Sequence, residues 1–507
     1  MVLNFTFREL GAENLGRDAV WMTPVVVKHQ VVENVIGGWS RMLKDFLRHM
    51  LLGPHGFSTV GVPITNGGNT VMIWAVLGNL LSDGDGLRVS LDWKGAGGLK
   101  PCFVHHNVVS KNSDLQSDRY VDITCADCRR FVAWETDVLE ASIDMLTEAH
   151  GRVARKTMYH AALERLEKAC GFNANPKGLM ADVELRRYFH TCEVSTMDWV
   201  HTALQNGFVT KDAHLFLAAC KPIGLHPRNL EEYLKKDWIF PKGTRDKGNN
   251  LHMVFNEFRS HSSAAADKLK ASASEMLGLY GLLRHWAATE IGDRPEVRAK
   301  RESFEAACRV VDIMLTAKRG LLPVKSAAEQ VILAHSHYMN LHKLAYGDEN
   351  IVPKHHWMFD IGEQMRKMDF IFDAFIIERL HLRVKRILDN IKDLEHLESS
   401  TLAGICNAQF QEADKICGDG LRGRVCLHDG CRVADACSVG SLSFAAEDAV
   451  FRGAELGVVQ LFLEDDDYIY AVVRGCEYRS EVSKYGSEWT LIYDDLKLWP
   501  VSHLEQA

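Results

Sequence analysis

The sequence predicts a mixed α/β fold in which helices dominate. Residues 131–400 have helical periodicity almost throughout, whereas residues 60–130 are rich in glycine and carry only short strand-like runs. Three further strand-like runs, separated by the turn clusters EDDD and SKYGS, lie at 458–463, 468–473 and 489–493. These runs predict a small antiparallel β-barrel near the C-terminus.

The elements divide the chain into five regions in order. These are N-terminal helices with a partial sheet and a zinc knuckle (1–130), a mainly helical insertion (131–352), a helix that returns to the core (353–400), a linker (401–440) and the β-barrel (441–507). Within the first region, an apolar stripe from Val31 to Phe46 predicts helix, and short runs predict strands at 60–64, 71–76 and 89–91.

Composition bounds the class of protein. The 507 residues are enough for roughly two to four domains, and 47% apolar with 25% charged residues is typical of globular proteins. The net charge of −8 gives no overall basic field, so any nucleic acid must bind local basic clusters. No apolar run reaches the roughly 20 residues of a membrane span, no signal peptide is visible, and 13 cysteines do not resemble a secreted disulfide framework. We therefore expect an intracellular protein that is neither secreted nor membrane-bound.

One helix combines an acid with a basic surface. From Ile377 the apolar residues recur at three- and four-residue spacing, and Glu378 lies at the edge of this stripe. Two interpretations remain open: an ordinary amphipathic helix, or a metal-binding carboxylate beside a phosphate backbone. The cations that would contact nucleic acid are Arg379, Arg383, Lys385 and Arg386.

A metal site is predicted from cysteine and histidine spacing. Cys102 and His105 form C-x2-H, and Cys125 and Cys128 form C-x2-C after nineteen intervening residues. Zinc takes four nitrogen or sulfur ligands, and a two-residue spacer lets both side chains of a pair reach one ion. The alternative is four unrelated buried side chains. A zinc ion here would be structural.

A second acid, Asp198, lies in the segment STMDWVH. Its position before an apolar helical run suits a helix-capping residue, and the alternative interpretation is a metal ligand at a strand-to-helix junction with His201 beside it. The segment SDGDG, with Asp83 and Asp85, has the composition of a tight turn.

The order of these segments resembles a known family. KGAGGLKPC (94–102), the Cys/His knuckle, MDWVH (197–201), PKHH (353–356) and IIERLHLRVKR (376–386) are similar to segments of the transposases of CACTA and KDZ elements, especially divergent protist copies. The resemblance implies an RNase H-like core in which three carboxylates hold two Mg²⁺ or Mn²⁺ ions for DNA cleavage and strand transfer. It assigns Asp198 as the second acid and Glu378 as the third, with a helical insertion between them.

The resemblance further implies DNA as the partner and a nuclear location, and it leaves homo-oligomerisation open. The sequence also departs from the family. The family's first strand and its aspartate are predicted to be missing at the N-terminus, because no aspartate precedes Asp18. His105 stands where a cysteine is commoner, and Asp360 stands where a histidine is expected.

A two-metal site without its first carboxylate predicts a poor catalyst or none. Asp83, Asp85 and Asp92 are not favoured as replacements for the missing first acid. The competing prediction is a non-catalytic helical scaffold with a C-terminal barrel that binds protein or chromatin. A metal hydrolase of another kind is disfavoured because the histidines lack an HExxH frame.

Overall fold

The computed structural model describes residues 2–66, 68–113, 115, 117–225, 229, 232, 269, 271–392, 396–416, 420–422, 425–428, 431–439, 442–465, 468–483 and 486–506. Helices dominate the described residues and several small sheets accompany them, which confirms the mixed α/β class. Among these residues, no helix has both the length and the apolar character needed to cross a membrane.

The described helices are numbered here in chain order. They are α1 (Ala12–Leu15), α2 (His29–Glu33), α3 (Gly38–Leu52), α4 (Gly84–Ser90), α5 (Thr136–Ala154), α6 (His160–Cys170), α7 (Thr191–Val194), α8 (Trp199–Ala203), α9 (Phe208–Cys220), α10 (Ala273–Trp286), α11 (Arg298–Lys318), α12 (Val324–Tyr346), α13 (Pro353–Met368), α14 (Phe375–Asn390) and α15 (Leu397–Ile416).

The described strands are numbered in the same way. They are β1 (Val2–Phe5), β2 (Met22–Val26), β3 (Val62–Asn66), β4 (Asn69–Ile73), β5 (Leu80–Ser82), β6 (Val108–Val109), β7 (Val121–Asp122), β8 (Ser195–Met197), β9 (Gly420–Arg422), β10 (Cys426–His428), β11 (Cys431–Ala434), β12 (Ala436–Val439), β13 (Leu442–Ala445), β14 (Ala449–Arg452), β15 (Glu455–Asp465), β16 (Tyr468–Ser483), β17 (Gly486–Pro500) and β18 (Glu505–Gln506).

The chain forms two compact units. The first contains residues 1–4, 23–212 and 302–402, and the second contains residues 5–22, 213–301 and 403–507. In the first unit, β5 and β8 pair in parallel, with Ser82 opposite Met197. The other edge of β8 is satisfied by a side chain of α13, because Gln364 accepts from the Met197 N–H at 3.3 Å and donates to the Ser195 carbonyl at 3.0 Å.

Helix α13 packs closely on α12. Gly362 lies at this contact, where an added Cβ would be 2.6 Å from Ile332 Cγ1, so only glycine allows the approach. On another side of α13, Trp357 donates its indole N–H to the Pro101 carbonyl at 2.7 Å. Helix α13 is therefore fixed both to β8 and to the segment that follows residue 100.

The second unit contains α10 and an antiparallel sheet in the order β10-β11-β15-β14-β18, to which β16 and β17 add alongside β15. Its apolar core is formed by buried side chains that include Val450, Phe462 and Trp499. Strands β13, β12 and β9 form a separate sheet. The strand pairs of the described residues do not close into a ring, so the closed barrel stays a prediction.

Two predicted segments differ from what the structure contains. Residues 89–91, predicted as strand, lie at the end of α4, where Asp83 caps a turn that the local alternation did not reveal. Residues 401–440, predicted as linker, contain most of α15 and the strands β9 to β12. These strands have only three or four residues each, which is too short for an alternating pattern to be recognised.

Candidate carboxylate site and metal centre

Two aspartates follow the strands of the parallel pair β5 and β8 in the first unit. Asp83 comes directly after β5 and Asp198 directly after β8, and the last residues of both strands are paired. Each aspartate is the N-cap of the next helix. Asp83 accepts from the Gly86 N–H at 2.6 Å, which starts α4. Parallel pairing with equal strand ends therefore places both carboxylates at one edge.

Asp198 is buried, with 1% of its surface exposed. It accepts from the N–H of Val200 at 3.2 Å and of His201 at 2.8 Å, the first-turn donors of α8. It also accepts from the Ala374 N–H at 2.9 Å, directly before α14. One carboxylate thus fixes the start of α8 and the entry to α14, the helix that carries Glu378.

His201 joins the two acids that the sequence singles out. Its Nδ1 contacts Asp198 Oδ2, and its Nε2 lies 3.1 Å from Glu378 Oε1. The two carboxylates bond opposite nitrogens of one imidazole, so their nearest oxygens are no more than about 8 Å apart. The structure brings Asp198 and Glu378 together even though about 180 residues separate them.

The charges at this edge affect one another. Burial raises the pKa of Glu378, and the negative charges of Asp198, Asp83 and Asp373 raise it further, against the opposing effect of His201. Burial lowers the pKa of His201, but the hydrogen bond and charge of Asp198, with the charges of Glu378 and Asp83, produce a net rise. The site therefore concentrates negative charge around one imidazole.

The sequence did not favour Asp83 as a replacement for the missing acid, and the structure places it at the same edge as Asp198. The absence of an aspartate before Asp18 leads to the expectation of no first acid, but Asp83 acts electrostatically on both His201 and Glu378. The detectable signal was an apolar run, LLS, directly before the acid. Its three residues are too few to be distinguished from a turn. The other two alternatives differ from Asp83: Asp85 is exposed on α4, and Asp92 accepts from Asn175.

The predicted nucleic-acid contacts lie on the same helix as Glu378. On α14, the buried apolar side is formed by Ile376, Leu380 and Val384. Arg379, Lys385 and Arg386 are exposed, and Arg383 is half-buried. Leu380 and Val384 belong to the predicted apolar stripe, whereas Ile377, its first residue, is half-buried and Ile376 is buried instead.

A second site lies where the segment after residue 100 meets α13. Cys102, His105, His356 and Asp360 are all buried, and one potential ligand atom from each lies within 4.8 Å of the others. His105 Nδ1 lies 2.8 Å from Asp360 Oδ1 and 3.7 Å from Cys102 Sγ. The Cys102 thiol lies 3.2 Å from Asp360 Oδ2.

The donor atoms fit a metal ion. His356 Nε2 lies 3.4 Å from Asp360 Oδ1, and among the described residues neither nitrogen of the buried His356 ring has a hydrogen-bond partner of good geometry. One sulfur, two imidazole nitrogens and one carboxylate oxygen are a ligand set that zinc accepts. Outside this set, Glu363 Oε2 lies 3.2 Å from His105 Nε2 and can orient that ring.

Electrostatics in this group are dominated by Asp360. Burial lowers the pKa of both imidazoles, but the charge of Asp360 outweighs it, raising the pKa of His356 to about 9 and that of His105 far above its usual range. Burial raises the pKa of Asp360, but the charges of His356 and His105 lower it overall. Positive charge is therefore stabilised at the centre of the group.

The group differs from the predicted ligand set. Cys102 and His105 belong to it, whereas Cys125 and Cys128 do not, and His356 and Asp360 complete it. The Cys125 thiol instead contacts the Asp127 carbonyl at 3.5 Å, and burial raises the pKa of Cys128. The replacement pair is spaced i and i+4 on α13, so both side chains lie on one helical face. Spacing within the knuckle alone cannot reveal partners 250 residues away.

The PKHH segment links the two sites. Lys354 donates to the carbonyls of His201 at 2.8 Å and Gln205 at 2.6 Å, at the end of α8. His355 lies 3.2 Å from the Tyr338 hydroxyl in a buried network, and His356 joins the metal-binding group. Consecutive residues at the start of α13 therefore fix the helix after Asp198 and supply one side chain of the candidate metal group.

No protein-family model, no curated protein and no solved structure matches this chain.

Proposed function

We propose that this protein is a divalent-metal-dependent enzyme that cleaves DNA phosphodiesters. Its active site would be formed by the carboxylates of Asp83, Asp198 and Glu378. The observation that carries the proposal is the convergence of two strand-end aspartates with a helix-borne glutamate. This arrangement supports an RNase H-like core centred on β5 and β8, in agreement with the transposase resemblance of the sequence. Asp83 takes the place of the acid that the sequence suggested was missing.

Three carboxylates can hold two divalent cations about 4 Å apart, and such a pair activates the attacking oxygen and stabilises the leaving oxygen of a phosphodiester. The chain's own residues prepare this site. The first-turn N–H groups of α4 and α8 orient Asp83 and Asp198. Glu378 has 40% of its side chain exposed, so it can be reached from solvent. His201 holds Glu378 toward Asp198.

DNA is the proposed substrate because basic residues share α14 with Glu378. Arg379, Lys385 and Arg386 are exposed on that helix. Lysine and arginine side chains bind the phosphate backbone without regard to sequence, with release of counterions. A helix that carries both a catalytic acid and these cations would position the backbone next to the site.

Zinc is the proposed occupant of the buried group at Cys102, His105, His356 and Asp360, with a structural role. All four ligands come from the protein, which leaves no open position for a substrate. The ion would tie the segment after residue 100 to α13, and α13 in turn supports β8 through Gln364.

The proposal is tested by a nicking assay with purified protein, supercoiled DNA and Mg²⁺ or Mn²⁺. Asp83→Asn removes a charge but keeps a good helix cap, because asparagine caps as well as aspartate. Asp198→Asn keeps an oxygen that can accept from Val200 and Ala374, but its amide nitrogen replaces the oxygen that accepts from His201. We expect each of these, and Glu378→Gln, to lower the nicking rate by about 10²-fold or more, comparable with the loss of a major electrostatic contribution. Asp85→Asn is the matched control, since Asp85 is 89% exposed and two residues from Asp83.

Full nicking activity in Asp83→Asn would show that Asp83 is not part of the active site. Absence of metal-dependent nicking by the wild-type protein, with DNA still bound, would contradict the catalytic proposal. It would favour the second candidate function, a non-catalytic scaffold. That candidate is supported by Asp198, whose oxygens already accept bonds from three backbone N–H groups, as a purely structural cap would.

A further inference from the structure

Three aromatic side chains gather in the second unit. The rings of Tyr478 and Trp489 are 5.3 Å apart with an interplanar angle of 75°, and those of Phe451 and Trp489 are 6.4 Å apart at 74°. Tyr478 and Trp489 are opposite each other on β16 and β17, and Phe451 comes from β14. Trp489 thus stands nearly perpendicular to both of the other rings.

This aromatic group is not part of the apolar core. Val450, the neighbour of Phe451, is fully buried in the core, and side chains alternate along a strand, so Phe451 faces the other way. Tyr478 has 48% of its surface exposed, while Phe451 and Trp489 are half-buried. The fold therefore places three large rings together where packing of the core does not require them.

A carboxylate lies beside these rings. Glu505 on β18 pairs with Phe451, and directly opposite residues of an antiparallel pair project to the same face with Cβ atoms about 5 Å apart. Leu504 is buried in the core, whereas Glu505 is exposed. Glu505 therefore shares the outer face of the sheet with Phe451.

The C-terminal part of the sequence is strongly acidic. Residues 441–507 contain 13 acidic and 5 basic residues, and this excess equals the net charge of −8 of the entire chain. The remaining 440 residues are consequently neutral as a whole. A field of this sign repels nucleic acid and attracts a cationic partner.

We propose that Phe451, Tyr478, Trp489 and Glu505 form a binding site for a methylated lysine within a basic peptide. A methylated ammonium is attracted to the faces of aromatic rings and has few or no N–H groups that would require a hydrogen-bond acceptor. Perpendicular rings offer such faces from more than one direction, and the carboxylate complements the charge. Among the described residues of this unit, Arg284 lies over Tyr280 and Arg452 lies over Trp499. Neither of these cation–ring contacts involves Phe451, Tyr478 or Trp489.

A peptide is favoured over a small quaternary amine because the acidic character extends through residues 441–507. Neighbouring lysine or arginine side chains of a peptide would interact with that field, whereas an isolated tetramethylammonium ion would meet only the rings. The site is independent of the carboxylates proposed for DNA cleavage, since all its residues belong to the second unit.

The test is calorimetric titration of the full-length protein with a lysine- and arginine-rich peptide that carries one trimethyl-lysine. We expect it to bind at least about tenfold more tightly than the unmodified peptide, and tetramethylammonium chloride to bind more weakly than either. Tyr478→Ala should remove the preference for methylation, and Tyr478→Phe should retain it because the ring remains. Tyr468→Ala is the control, since Tyr468 is 68% exposed elsewhere on β16.

Glu505→Gln should weaken the binding of both peptides. This variant separates the contribution of the carboxylate charge from that of the aromatic rings. Equal binding of methylated and unmodified peptides, or no binding of either, would overturn the proposal. So would an unchanged methylation preference in Tyr478→Ala that keeps the wild-type melting temperature. Tetramethylammonium binding as tight as the peptide would identify a small-amine site instead. Direct binding of duplex DNA that is lost in Tyr478→Ala would identify a nucleic-acid surface.

Discussion

Asp198 shows how a single residue serves both structure and proposed chemistry. Its oxygens accept from the first turn of α8 and from Ala374, and one of them contacts His201. A helix cap stabilises by about 1 kcal/mol, and replacing it by alanine removes both the cap and the charge. Loss of activity in an alanine variant would therefore not identify a metal ligand, and the asparagine variants are the informative ones.

A residue-scale prediction concerns Asp92, which burial gives a pKa of about 6 despite a hydrogen bond from Asn175. The folded protein therefore holds this proton more tightly than the unfolded chain, whose aspartates titrate near 3.8. The associated stability is fully present below pH 4 or so and is lost as the pH rises through about 6. At pH 7 the ionised, buried carboxylate is a cost of up to about 3 kcal/mol.

Asp92→Asn should therefore raise the free energy of unfolding at pH 7 and leave it nearly unchanged near pH 4. Asparagine keeps an oxygen that accepts from Asn175, and it tolerates the left-handed backbone at this position, where φ is 54°. Urea unfolding at both pH values gives the measurement. A variant less stable than wild type at pH 7, with Asp118→Asn as the surface comparison, would contradict the prediction.

At the scale of elements, β8 depends on α13. Strand β8 has only three residues and pairs with β5 on one edge, while Gln364 satisfies a donor and an acceptor on the other. Buried backbone groups without partners cost about 1–3 kcal/mol each. The position of Asp198 at the end of β8 is therefore sensitive to a side chain of another helix.

Gln364→Leu should lower the free energy of unfolding by about 2–4 kcal/mol, because the Ser195 carbonyl and Met197 N–H lose their side-chain partners. If β8 positions the carboxylate site, nicking activity should fall in the variant that remains folded. Thermal melting and the nicking assay measure the two effects. Gln30→Leu, at an exposed position, is the control. An unchanged melting temperature would show that β8 does not need this contact.

The elements also explain what the sequence could predict. Helix α14 was predictable because its apolar residues repeat over four turns, and the buried positions Leu380 and Val384 belong to the predicted stripe. The position of Asp83 beside Asp198 was not predictable, since a parallel pair of three-residue strands leaves no periodic pattern. Two of the four residues of the candidate metal group were predictable. Cys102 and His105 are local in sequence, but His356 and Asp360 reach them only through the packing of α13.

At the scale of the whole molecule, opposite charges lie in different parts of the chain, and the two proposed metal sites suit different ions. The acidic excess lies in residues 441–507, while the exposed cations of α14 accompany Glu378 in the other unit. The buried sulfur and nitrogen donors suit zinc, and the oxygen donors of the carboxylate site suit Mg²⁺ or Mn²⁺. Stability and cleavage should therefore depend on different ions.

Removal of zinc by a chelator should lower the melting temperature of the full-length protein. A ligand present at 100 to 1,000 times its dissociation constant stabilises the folded state by about 3–4 kcal/mol, and that contribution is lost with the metal. Cys102→Ala should have the same effect and bind no zinc, whereas Cys125→Ala should bind one zinc per chain, because Cys125 lies outside the group. Omitting Mg²⁺ and Mn²⁺ from zinc-loaded protein should abolish nicking and lower the melting temperature less than the removal of zinc does. Elemental analysis and calorimetry measure these outcomes. Zinc loss in Cys125→Ala as well as in Cys102→Ala would favour the knuckle that the spacing predicts, since both cysteines belong to it.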